Sequence, residues 1–284
     1  MHGNILGDRV DDRQNTFSVL KDNNFKFKKA FGQNFITDTN LLAAMVSDGN
    51  IKKDDVVVEI GPGAGTLTKE IAKQAKLVYA FEIDRDLEPV LKESLKDFDN
   101  VCVTFKDIQK VKDDELAKLV GDDYKVVANL PYYITTPIIM RFLECKNLPK
   151  SITIMVQKEV AERLCAKAGS AEFGAITLAI KLYGDAKITR IVKKEVFTPR
   201  PKVDSAIVNI EINDKYDGVD KEKVKKLIKA AFLMRRKTLV NNICGAYKLD
   251  KDEVIETIKA FGFDERVRGE ELDIEDYIKL SEKI

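Results

Sequence analysis

Histidine is almost missing from this chain: of 284 residues the single imidazole belongs to His2, in the N-terminal tail. That shortage excludes most zinc constellations and any triad or acid/base mechanism built on histidine. Cysteine is scarce as well. The four thiols, Cys102, Cys145, Cys165 and Cys244, are widely spaced with no C-x-x-C pair, so they are expected to be reduced and mostly buried rather than metal ligands. No apolar run approaches the roughly 18 residues of a membrane span, and the first 25 residues have no apolar signal-peptide core. The expectation is a soluble cytoplasmic protein with no membrane partner, acting as a monomer. Neither sign of charge prevails: Lys+Arg 48 against Asp+Glu 47 leaves +1, so any nucleic-acid binding must come from local basic patches.

What is present is a core-forming composition, 44% hydrophobic, in a chain long enough for one large domain with an appendage. Short apolar runs alternate with amphipathic stretches. The runs "VVVEI" 56–60, "LVYAFEI" 77–83, "VCVTF" 101–105, "KVVANL" 125–130 and "SITIMVQ" 151–157 predict buried parallel strands. Helices are predicted over 65–75, 86–98, 112–120, 136–145 and 158–168, which makes the pattern α/β with a doubly wound sheet. Three further runs, "AITLAIKLYG" 175–184, "KITRIV" 187–192 and "SAIVNIEI" 205–212, are close together and predict antiparallel strands that complete the sheet. From about 214 the texture turns Lys/Glu-rich and helical. The predicted organisation is a first domain over 1–213, with 1–25 as an extension, and a small all-helical domain over 214–284.

The first strand runs into "EIGPGAGTLT", where Gly61, Gly63 and Gly65 allow a tight turn and close approach of backbone to a nucleotide-like ligand. The third glycine comes one residue too early for the dinucleotide fingerprint, and a purely structural turn is the competing reading. Glu82 ends the second strand, where a carboxylate can accept hydrogen bonds from both ribose hydroxyls. Asp107 follows the third strand and can accept from an adenine amino group, or equally cap a helix. At the end of the fourth strand stands "NLPYY". The Asn129 side-chain oxygen and the Leu130 carbonyl can accept from both N–H groups of an adenine amine and turn its lone pair outward. Pro131 stiffens the turn, and Tyr132 offers a ring to a base lifted from its stack. A strand-to-helix turn with Asn129 as cap is the structural alternative.

"GQNFI" 32–36, "EIGPGAGTLT", "FEID", "NLPYYITTPI" and "FTPRPKVDSAIV" 197–208, in this order and spacing, resemble the small-subunit ribosomal RNA adenine dimethyltransferases, over about residues 28 to 245. The resemblance implies a Rossmann-like class I methyltransferase sheet carrying a small helical domain that binds RNA. It implies transfer of methyl groups from S-adenosylmethionine to N6 of two adjacent adenosines in the hairpin near the 3′ end of small-subunit ribosomal RNA, on the RNA or the immature subunit. Cofactor contacts then fall on Asn34, Ile36, Gly61, Gly63, Glu82, Asp107 and Asn129. The catalytic set is Asn129, Leu130, Pro131, Tyr132 and Phe197, with Phe197 covering the base opposite Tyr132 or, alternatively, anchoring its loop in the core. Ile36 stands where the family usually has Leu. A large-subunit adenine methyltransferase, a non-catalytic RNA-binding assembly factor and a nicotinamide oxidoreductase are the competing functions. Leu130 and the Thr135-Thr136-Pro137 continuation favour the small-subunit enzyme. Candidate RNA-facing patches are Lys26-Lys28-Lys29, Lys193-Lys194, Arg200 with Lys202, and Arg235-Arg236-Lys237, whereas the lysines of 221–229 alternate with acids as a solvated face does.

Overall fold

A computed structural model describes residues 35, 36, 38–131, 133–234 and 236–284. The central sheet has seven strands: β2 (Val56–Ile60), β3 (Leu77–Glu82), β4 (Val101–Phe105), β5 (Tyr124–Asn129), β6 (Ser151–Gln157), β7 (Gly184–Val192) and β9 (Ser205–Ile212), in the order β4-β3-β2-β5-β6-β9-β7. β2 to β6 run parallel, and β9 pairs antiparallel with β6. The order reverses between β2 and β5, so the carboxyl ends of β2, β3, β4 and β5 flank one switch point, where open α/β sheets bind ligands. A two-residue ladder joins β1 (Phe35–Ile36) to β8 (Phe197–Thr198), with Ile36 opposite Phe197.

The strand runs are apolar because both faces of the sheet are covered: Val57, Val58, Val78, Ala80, Val126, Val127, Ile152 and Ile154 are all fully buried. Each large aliphatic side chain so buried stabilises the fold by about 1.5–3 kcal/mol. A helix absent from the sequence expectation, α1 (Thr39–Asp48), buries Leu42, Met45 and Val46 and is capped by Asp38, whose carboxylate accepts from the Asn40 and Leu41 N–H groups at 3.1 and 3.3 Å.

The run 175–184 is not a strand. Ala175–Lys181 forms helix α7, and only Gly184 belongs to β7. Its consecutive buried residues Thr177, Leu178, Ala179 and Ile180 show no polar stripe, and periodicity alone cannot separate such a run from a buried strand. The helical signal is local: Gly174 N–H donates to Thr177 Oγ1 at 3.3 Å, and the same hydroxyl donates to the Arg163 carbonyl at 2.6 Å. The thiols also differ from expectation. All four are free, but only Cys145 is buried, and Cys102 is exposed on the edge strand β4.

The chain divides into two compact units, one of the described residues up to Lys158 with Ile188–Glu211, the other of Glu159–Lys187 with Ile212–Ile284. The helices of 159–187 therefore group with the C-terminal helices, whereas texture alone put a boundary at 213. In the second unit, α8 (Lys221–Ala231), α9 (Leu239–Tyr247), α10 (Lys251–Ala260) and α11 (Ile274–Ser281) bury Leu227, Ile243, Ile258 and Tyr277. Among the described residues, no helix is long and apolar enough to cross a membrane.

Candidate active site

The carboxyl ends of four parallel strands converge on a cavity of about 340 Å³, within the first unit. That volume falls in the range of about 300–1,000 Å³ usual for ligand pockets. After β2 the chain enters the glycine loop, with Gly61 and Gly63 at φ 70° and 59°, left-handed values that a side chain would strain. Gly61 N–H donates to the Phe81 carbonyl at 2.9 Å, which fastens the loop to β3.

Glu82, at the end of β3, is only 5% exposed yet lines the cavity. Its Oε2 accepts from Gly63 N–H at 3.2 Å, and its Oε1 accepts from the N–H groups of Ile83 and Asp84 at 2.8 and 2.9 Å. Burial pushes this carboxyl above the usual range, against the pull of the Asp84, Gly63 and Ile83 N–H groups. The backbone thus holds both oxygens in fixed positions, while a carboxylate's remaining lone pairs stay available to ligand hydroxyls.

Asp107 follows β4, and the structure gives it the capping role that the sequence offered as an alternative while leaving it on the cavity wall. Its Oδ1 caps the 3₁₀ turn Ile108–Lys110 by accepting from Gln109 N–H at 3.0 Å, and the residue also lines the cavity. Each acid is followed in the chain by a cavity-lining isoleucine: Ile83, 49% exposed, after Glu82, and Ile108, buried, after Asp107. Sequence reading passed over both, although an apolar residue immediately after a ligand-facing acid was the available signal.

Asn129 closes β5 and lines the cavity with Leu130 and Pro131. Leu130 N–H donates to the Met155 carbonyl at 3.3 Å, and Ile134 N–H closes a turn on the Pro131 carbonyl at 3.2 Å before α5 (Thr135–Leu143) begins. Pro137 is accommodated in the first turn of α5, where its missing N–H costs no helical hydrogen bond. Ile36 and Phe197 line the same cavity from β1 and β8, but both belong to the core, at 2% and 4% exposed. Asn34 and Tyr132 lie outside the described residues.

Beneath the glycine loop stands a group the sequence reading did not single out. Glu59 is 1% exposed, and neither carboxyl oxygen has a hydrogen-bond partner among the described residues. Burial pushes its pKa up to about 8; the nearby Thr68 hydroxyl pulls it down without reaching hydrogen-bonding geometry, and the Glu82 charge adds to the rise. The acid is therefore mainly neutral at pH 7.

The basic patches are less free than the sequence suggests. Lys193 pairs with Asp204 at 2.9 Å and Arg200 with Glu195, so the lysine and the arginine are neutralised locally. Lys26, Lys28, Lys29 and Arg235 lie outside the described residues; Arg236 and Lys237 are exposed.

Acceptors at two strand ends, apolar residues lining the same cavity and the backbone of the glycine loop fit an adenosine-bearing ligand, whose ribose hydroxyls and amino group are donors. The comparisons agree. The profile of the family "Ribosomal RNA adenine dimethylase" matches residues 24–284. "Ribosomal RNA small subunit methyltransferase A" of Clostridioides difficile is 45% identical over 279 residues, covering 96% of each chain. Among solved structures, a dimethyladenosine transferase from Plasmodium falciparum superposes with a TM-score of 0.72 at 27% identity, covering 87% of this chain and 95% of its own. The 23S rRNA methyltransferase ErmE gives 0.70 at 24% identity, covering 88% and 99%, a likeness of fold. With a Rossmann-like sheet, a cavity fitted to adenosine and these relatives, the chain belongs to the ribosomal RNA adenine dimethylase family of S-adenosylmethionine-dependent enzymes.

Proposed function

We propose that the protein methylates N6 of two adjacent adenosines in the 3′-terminal hairpin of small-subunit ribosomal RNA, forming N6,N6-dimethyladenosines as the subunit matures. The observation that carries this reading is the placement of Asn129, Leu130 and Pro131 on the same cavity as Glu82 and Asp107. Glu82 is suited to ribose hydroxyls and Asp107 to an adenine amino group, with the glycine loop alongside. When bound, S-adenosylmethionine supplies a methyl group on a sulfonium, a leaving group that departs neutral.

The remaining work is orientation. The Asn129 side-chain oxygen and the Leu130 carbonyl accept the two hydrogens of the target amine, which turns its lone pair away from the ring. Pro131, with its fixed φ, and the turn closed by Ile134 N–H hold those acceptors in place. A general base is unnecessary because the amine proton becomes acidic once nitrogen carries positive charge, and water can take it. Positioning and electrostatics then supply the rate. Exposed Arg236 and Lys237 of the helical unit are assigned to the RNA backbone.

The test is to map N6,N6-dimethyladenosine by mass spectrometry on ribosomal RNA from cells with and without this protein, and on both purified ribosomal subunits after reaction in vitro. Two dimethylated adenosines near the 3′ end of small-subunit RNA are expected. Modification of large-subunit RNA instead, or of neither, would overturn the assignment.

A further inference from the structure

Three aromatic side chains among the described residues line the cavity: Phe81, Phe197 and Tyr133. Phe81 and Phe197 are 3% and 4% exposed and serve the core, whereas Tyr133 is 60% exposed. Its ring and hydroxyl make no hydrogen bond or ring contact among the described residues. An isolated aromatic on a surface needs no explanation. This one stands at the rim of the cavity, four residues beyond Asn129, so chain reach keeps its Cα within about 14 Å of that residue. Its backbone lies within the turn closed by Ile134 N–H on the Pro131 carbonyl, two residues before the first residue of α5. It is a large ring on a stiff mount, open to solvent.

We infer that Tyr133 is a stacking platform that positions the nucleotide next to the target adenine. The inference rests on the function proposed above. When one adenine leaves its stack to reach Asn129, the adjacent base loses a stacking partner on that side. A tyrosine face replaces that partner while its hydroxyl stays in water, and stacking tolerates any base because every base has a π-face. With two adjacent targets, the same ring serves whichever of them is waiting. Buried Phe197 cannot take this part without leaving the core.

The experiment uses unmethylated small ribosomal subunits reconstituted with a ligated synthetic 3′ hairpin, either intact or with an abasic residue in place of one adenosine. Wild-type protein, Tyr133→Ala and Tyr133→Phe are compared for kcat/KM of the first methyl transfer, with S-adenosylmethionine affinity measured by calorimetry. On intact RNA, Tyr133→Ala should be slower by about five- to a hundred-fold, the worth of one base–aromatic stack. Tyr133→Phe should keep most of the rate, and cofactor affinity should not move. Wild type should lose a comparable factor on the abasic RNA, and Tyr133→Ala should lose little more there. Unchanged activity of Tyr133→Ala on intact RNA, or equal losses for both proteins when the base is removed, would overturn the inference. Failure of the wild type to methylate intact subunits would instead overturn the function on which it rests, and the inference with it.

Discussion

The Glu82 carboxylate accepts from Gly63 N–H across 3.2 Å, so the side chain assigned to the ribose also sets the shape of the glycine loop. Two roles in one carboxylate make truncation an ambiguous test. Glu82→Ala is expected to strip an acceptor from the Gly63, Ile83 and Asp84 N–H groups and to lower the melting temperature as well as cofactor affinity. Glu82→Gln keeps one oxygen acceptor and the side-chain length. Hydrogen bonds to charged groups are worth about 1.5–3 kcal/mol, so it should weaken S-adenosylmethionine binding by roughly ten- to a hundred-fold in calorimetry while remaining folded. Unchanged affinity would end the ribose assignment.

Glu59 should make stability depend on pH. Its folded pKa of about 8 lies above the ordinary 4.5, so between those values the folded chain keeps a proton that the unfolded chain has released. The stabilisation is complete below the unfolded value and is lost as pH rises through about 8, by up to ~1.4 kcal/mol per pH unit. Glu82, also raised, acts in the same direction. Glu59→Gln removes one titrating group, so its melting temperature should gain on the wild type steadily from about pH 5 to about pH 8. A difference flat with pH would show that Glu59 does not hold its proton in the folded state.

Asn129→Ala is expected to reduce methyl transfer by at least about a hundred- to a thousand-fold, the usual cost of deleting one preorganised polar group at a reacting centre. RNA binding, measured by filter retention on small subunits, should persist because no phosphate contact is assigned to this residue. Near-normal turnover would sink the orienting role.

Phe197→Ala should act mainly through the fold. The ring is buried against Ile36 and the core cluster, and Phe→Ala at such a position costs about 3–5 kcal/mol. Chemical denaturation should show that loss, with cofactor affinity and catalysis falling together because Ile36 and Phe197 both wall the cavity. A protein of normal stability and cofactor affinity but slow methylation would restore the base-covering role.

The five parallel strands were legible because each is a short apolar run bounded by charge, glycine, asparagine or proline, and a strand covered on both faces needs such a run wherever it sits. Gly61, Glu82, Asp107 and Asn129 were legible for a related reason: in a doubly wound sheet the carboxyl ends of the parallel strands lie along one edge beside the switch point, so position just after a strand already implies position near the site. The strand assignment at 175–181 failed because its burial is as complete as a strand's, and only the Gly174–Thr177 cap tells helix from sheet. The sequence by itself thus determined the parallel strands, the order of the cavity-lining residues at their ends and the family. Tertiary structure alone decided that Glu59 lies unpartnered among the described residues, that Phe197 sits in the core while Tyr133 stands exposed, and that Lys193 and Arg200 pair with Asp204 and Glu195. Strand positions along the chain follow from local pattern, whereas strand order in the sheet, burial, pairing and pKa depend on which distant residues arrive beside a group, and a one-dimensional pattern does not carry that information.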